Sequence, residues 1–131
     1  METFKDFNFL TIAYDNRSQS VNMQWKSFAH GDDFRNGLNA GLDLIKQKGA
    51  SKWLADLRDL GTVPTKDQEW SNTDWFPRAV SGGIRKMAIV MPKSTLSAMS
   101  VKNIMTKVEG INIETNYFDS DDEARKWLAA S

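Results

Sequence analysis

The sequence predicts an α/β domain, a largely parallel or mixed sheet whose strands alternate with helices. Three observations carry that reading. Short extended or apolar runs alternate with helical periodicities from one end of the chain to the other. The composition, 40% hydrophobic and 26% charged over 131 residues, suits a single globular core that withdraws roughly two thirds of the unfolded surface from water. No repeat, low-complexity tract or linker interrupts residues 1–131, so the chain reads as one domain.

The elements follow in order. Residues 7–15, FNFLTIAYD, and 20–29, SVNMQWKSFA, are extended runs joined by the turn-forming DNRSQ, which predicts a hairpin. In GDDFRNGLNAGLDLIKQKGA the residues Phe34, Leu38, Gly41, Leu42 and Ile45 recur at helical spacing. Acids occupy the first turn of that helix, lysines the last, and Gly49 can end it. KWLADLR alternates Trp53, Ala55 and Leu57 against Leu54 and Asp56, as a central strand does.

A helix then begins at Thr65, with Asp67, Gln68 and Glu69 near the positive end of its dipole, and is closed by Pro77, Gly82 and Gly83. MAIVMP is a short run of buried-strand type. Val101, Ile104, Met105 and Val108 form the stripe of the next helix, and INIETNYF reads as a strand. SDDEARKWLAA closes the chain behind a capping box from Ser120 to Glu123. The order is β-β-α-β-α-β-α-β-α, with an opening antiparallel hairpin and parallel crossovers after it.

Charge narrows the function. Seventeen basic residues balance seventeen acidic ones, which removes the electrostatic basis for binding nucleic acid or an anionic membrane. The absence of cysteine removes disulfides, thiolate catalysis and thiolate metal sites. The opening METFKDFNFL lacks the pattern of a secretory signal, and no run approaches a membrane span, so the cytoplasm is the expected compartment.

Little in the chain points to catalysis. His30 is the single histidine, and HGDD reads as a helix start, since adjacent residues there point apart. DSDDE at 119–123 lacks the spacing of a calcium loop and reads as a cap. SGG at 81–83 precedes a strand, the reverse of a phosphate-cradling loop. Asp56 is the best polar oddity, near the C-terminal end of the predicted central strand. Its structural explanation is a backbone hydrogen bond or a pair with Arg58 or Arg78. No metal or cofactor is expected. An enzyme using Asp56 and Thr65 is the lowest-ranked reading.

The apolar surplus points elsewhere. Of five tryptophans, Trp53 and Trp127 are expected in the core and Trp25 is expected to alternate inward. At 100° per residue Trp70 groups with Thr73, Phe76, Pro77 and Val80, whereas Trp75 points nearly the opposite way. Trp75 is therefore core, interface or ligand contact. Leu96 and Met99 fall opposite the Val101 stripe, so either that helix begins only at Ser100 or an apolar patch faces outward. If MAIVMP lies beside KWLADLR, the loops after both strands meet at one sheet end. Trp70 or Trp75, Phe76, Val63, Leu96 and Met99 could then line a shared patch or cleft, with Thr65 and Asp56 at its polar margin. A flat patch suits a protein partner, including a second copy. A concave one suits a small apolar or lipid-like ligand.

The order of elements and the phrases KWLADLR, EWSNTDWFPRA, GGIRKMAIV and YFDSDDEARKWL resemble the bacterial SpoIIAA-like proteins, relatives of STAS domains and of the CRAL-TRIO lipid-binding fold. The resemblance covers nearly the whole chain and rests mostly on core and cap residues. It implies a four- or five-stranded sheet with helices around it, acting in regulation or binding without chemistry. STAS regulators of the anti-sigma-factor-antagonist type carry a phosphorylated serine in an Asp-Ser-Ser-Gly-like motif after the central strand. Counted from Asp56, the matching position is Thr65, which makes it the candidate phosphorylation site. Here the chain reads VPTKD, with Pro64 in place of the acidic neighbour and no Ser-Gly pair following, and a hydroxyl at a helix start also serves as an N-cap.

Overall fold

Six strands lie side by side in chain order in the computed structural model, which describes residues 1–130. They are β1 (Glu2–Asp6), β2 (Leu10–Asp15), β3 (Ser20–Trp25), β4 (Lys52–Asp56), β5 (Lys86–Val90) and β6 (Glu114–Phe118). The first three run antiparallel to their neighbours, and β3 through β6 run parallel. The expected hairpin is β2–β3, and MAIVMP does lie beside KWLADLR. The four- or five-stranded expectation falls short by β1. Its residues ETFKD are mostly exposed and charged, so they carry no buried alternation to read; pairing with β2 makes them a strand.

Helices α1 (Gly31–Lys48), α2 (Thr65–Trp70), α3 (Phe76–Ser81) and α4 (Thr95–Lys107) cover one face of the sheet, and α5 (Asp121–Ala129) covers part of the other. The larger core lies under the first four, where Ile12, Met23, Trp53 and Ile89 meet Leu44, Trp75 and Val101. A smaller cluster joins Leu54, Ala88 and Val90 to Ala124 and Leu128 of α5. Parallel strands buried on both faces read as continuous apolar runs, which is why MAIVMP carries so clear a signal. Ser120 caps α5 by accepting from the Glu123 amide at 3.2 Å, as the capping box predicts.

The approach of α1 to the sheet is set by Gly37 and Gly41. A Cβ at Gly41 would sit 2.3 Å from Trp53 Cη2 and 2.7 Å from Met23 Sδ; one at Gly37 would sit 2.7 Å from Leu10 Cδ2 and 2.9 Å from Trp25 Cη2. The two glycines, one turn apart on a single helix face, let the indoles of Trp25 and Trp53 lie directly against the α1 backbone.

Candidate contact surface

The segment that appeared unable to bury both Trp70 and Trp75 does so by leaving α-helical geometry. Residues Ser71–Trp75, between α2 and α3, form a π-helical stretch in which the Phe76 amide donates to the Ser71 carbonyl. A π turn closes its hydrogen bond five residues back rather than four, so it carries an extra residue and shifts the phase of all that follows. The 100° rule holds up to Trp70 and fails after it. Ser71 Oγ and Thr73 Oγ1 bond back to the carbonyls of Asp67 and Glu69 at 2.9 Å each, local support for the altered turn.

The consequence is that Trp75 and Phe76 both face inward. Trp75 is 2% exposed, stands edge-on to Trp53 with ring centroids 5.1 Å apart, and donates its indole N–H to the Leu38 carbonyl at 3.1 Å. Phe76 packs at right angles to Trp75, and Val63 is buried in the same cluster. These three residues therefore do not form an exposed patch; the phase shift and the gap over Trp53 take them into the core. Trp70 stays half-buried, edge-on to Phe34 and flanked by the guanidinium groups of Arg35 at 5.4 Å and Arg78 at 5.8 Å. Under the inward-facing rings lies an apolar cavity of about 70 Å3, lined among others by Val63, Trp75, Phe76, Trp53 and Met105.

Leu96 and Met99 behave oppositely. The helix α4 begins at Thr95, so both lie on its first two turns, 69% and 52% exposed. Of the two arrangements open from the sequence, the outward-facing patch is the one adopted. The loops after β4 and β5 meet as expected: Thr62 Oγ1 lies 3.3 Å from Ser97 Oγ, and the Val63 amide donates to Ser100 Oγ at 3.0 Å. A third loop joins them. Phe28, beyond the end of β3, is 54% exposed and stacks on His30 with centroids 5.1 Å apart. It lies beside Gly61, where an added Cβ would come within 3.3 Å of the Phe28 ring and whose φ of +84° is a conformation that favours glycine. Phe28, on the loop after β3, and Leu96 and Met99, on the start of α4, thus lie at the C-terminal end of the parallel strands. Phe28 was hidden in the sequence because SVNMQWKSFA reads as strand throughout, whereas β3 stops at Trp25.

The polar candidates separate. Thr65 is exposed at this end as the first residue of α2, but it is not the cap: Pro64 holds that position, with no side-chain cap bond. The α1 start is likewise not capped by HGDD. Its Gly31 amide donates at 2.9 Å to Asp67, a carboxylate 3% exposed that also pairs with Arg35 and ties α2 to α1. Asp56 lies on the opposite face of the sheet, beyond Leu54 and alongside α5, so it is not at the margin of the Leu96 patch; alternation along β4 puts it there. Arg58 grips it through two bonds, Nε to Oδ1 at 2.9 Å and Nη2 to Oδ2 at 2.7 Å. These bonds hold the Arg58 guanidinium more firmly protonated than usual. Arg78 pairs instead with Asp74 and Asn39. Next to Arg58, burial raises the Asp121 carboxyl above its ordinary range, with Arg125 opposing the shift. Among the described residues no cluster of three or more His, Cys, Asp or Glu could hold a metal, and no helix is long and apolar enough to cross a membrane.

The open α/β sheet thus gathers its loops at one strand end, with exposed apolar side chains there. The SpoIIAA-like family matches residues 20–129, and the chain belongs to that family. Among solved structures it is similar to an uncharacterized protein with a SpoIIAA-like fold from Shewanella loihica PV-4, at 14% identity and a TM-score of 0.61, over 95% of this chain and 98% of that one. That likeness concerns the fold alone. No curated protein matches the chain.

Proposed function

We propose that this SpoIIAA-like domain is a non-enzymatic interaction module whose protein-binding surface is the end of the sheet carrying Phe28, Leu96 and Met99. The observation that carries the reading is the exposure of three large apolar side chains, Phe28 on the loop after β3 and Leu96 and Met99 on the start of α4, in a chain that buries 33 hydrophobic residues. Single exposed apolar residues are ordinary, but a group of them at the strand ends where α/β sheets bind is not. Thr65 lies at the same end, where a phosphate would add negative charge to the first turn of a helix and alter the surface a partner meets. The ligand-binding alternative receives less support. A cavity of about 70 Å3 is far below the roughly 300 Å3 at which pockets for drug-sized ligands begin, so a lipid-like molecule would have to displace the Trp75 and Phe76 rings.

The test is a photo-crosslinking residue placed at Leu96 in living cells, with Lys46 in the last turn of α1 as the control position. The reading expects a discrete crosslinked protein from position 96 and none from 46. Leu96→Asp together with Met99→Asp should abolish crosslinking from a probe at Phe28 while changing stability by no more than about 0.5 kcal/mol, as befits surface substitutions. Equal crosslinking from both ends, or none from position 96, sinks the reading.

A further inference from the structure

We propose that the β6 edge of the sheet is closed against a second copy of this chain by its own side chains, with Asn116 as the seal. An edge strand presents unpaired N–H and C=O groups that can template another strand, and six strands in an open sheet leave two such edges. β1 is protected by a bulge between Thr3 and Lys5 and by the charges of Glu2, Lys5 and Asp6. β6 has no bulge, and its exposed Tyr117 would be an attractive cross-strand partner.

The direction of its backbone groups defines what a second copy would need. The Glu114 amide donates inward to the Arg85 carbonyl at 2.8 Å, and the Phe118 carbonyl accepts inward from the Met91 amide at 2.9 Å. Alternation then turns the groups of Thr115 and Tyr117 outward, with Ile113 continuing their row. Two copies pairing antiparallel about a two-fold axis at Thr115 would exchange bonds between the two Thr115 residues, and between Ile113 of each copy and Tyr117 of the other.

The flanking partners are already engaged. Asn116 Oδ1 accepts from the Tyr117 amide at 2.9 Å, the Ile113 amide donates to the Ile111 carbonyl at 2.8 Å, and the Thr115 hydroxyl reaches the Ile113 carbonyl through a longer bond of 3.5 Å. Only the central Thr115 pair remains for a partner, too little to hold two sheets together. Of the engaged groups, Asn116 is the one whose side chain can be removed without disturbing the core, since it is exposed.

The experiment measures amide exchange and solution mass on Asn116→Val and Asn116→Asp. In Asn116→Val the Tyr117 amide should exchange roughly tenfold faster, the equivalent of one lost hydrogen bond. Asn116→Asp keeps the acceptor oxygen and should retain slow exchange. By light scattering, Asn116→Val should form a concentration-dependent species heavier than wild type. Adding Thr115→Pro, which an edge position with an outward N–H tolerates, should return the mass to that of wild type. Unchanged exchange in Asn116→Val overturns the proposal, as does faster exchange with unchanged mass, or a heavier species that survives Thr115→Pro.

Discussion

Trp75→Ala is expected to destabilise the protein by about 3–5 kcal/mol, the range for truncating a fully buried large aromatic. The loss has three parts. The indole fills the space between α1, the π-helical stretch and Trp53, so its removal enlarges an existing cavity of about 70 Å3, and further void there is poorly refilled by a rigid sheet. The aromatic contacts with Trp53 and Phe76 disappear. The Leu38 carbonyl loses the indole N–H as a donor. Trp75→Phe restores most of the volume and none of that hydrogen bond, so it should recover the larger part of the loss. Urea unfolding followed by circular dichroism checks both, and a Trp75→Ala protein as stable as wild type would return this residue to the surface.

The second large effect runs against a common rule. Glycine to alanine inside a helix ordinarily gains about 1 kcal/mol, and Gly41 lies well within α1. Here the added Cβ would meet the Trp53 ring at 2.3 Å and Met23 Sδ at 2.7 Å, and Trp75 packs edge-on against that ring, so relieving the overlap means displacing a packed aromatic pair. Overpacking of this kind costs about 1–3 kcal/mol, so the net change for Gly41→Ala should be destabilising despite the propensity gain. Gly41→Val adds two further carbons and should cost more still. Equilibrium unfolding decides it by sign alone: a stabilised Gly41→Ala would mean that α1 lies farther from the sheet than described.

The two effects share one cause, which bears on what could be read from the sequence. Elements with a strong period, such as α1 and α5, or a continuous apolar run, such as β5, announce themselves because local pattern and final environment agree. The adjacency of β4 and β5, and with it the meeting of their loops, follows from ordinary crossover topology. β1 was invisible because an exposed edge strand needs no apolar alternation. The fate of Trp75 was unreadable for another reason. Periodicity presumes a constant residue count per turn, and the π-helical stretch changes that count within five residues.

The candidate site divides along the same line. Leu96 and Met99 stand out in the sequence because they contradict a stripe that is real. Alternation along KWLADLR already sets Asp56 on the face opposite Trp53, and of the two arginines open to it, Arg58 and Arg78, it pairs with Arg58; which face the loops after β4 and β5 would use is not encoded in that alternation. Asp67 passed as one more acid in a helix start, although it is the buried carboxylate that joins two helices. A long-range cap leaves no spacing signature, since its partner Gly31 is separated from it by most of α1 and β4.

The apolar surplus divides into a core part and a proposed contact part, and hydroxyl-radical footprinting of the protein, purified and inside cells, tests this division directly. Met99 and Phe28 should oxidise readily in the purified protein and be protected in cells, while Trp75 should remain unlabelled in both. Equal labelling of Met99 and Phe28 in the two settings, or ready labelling of Trp75 in the folded purified protein, would contradict it.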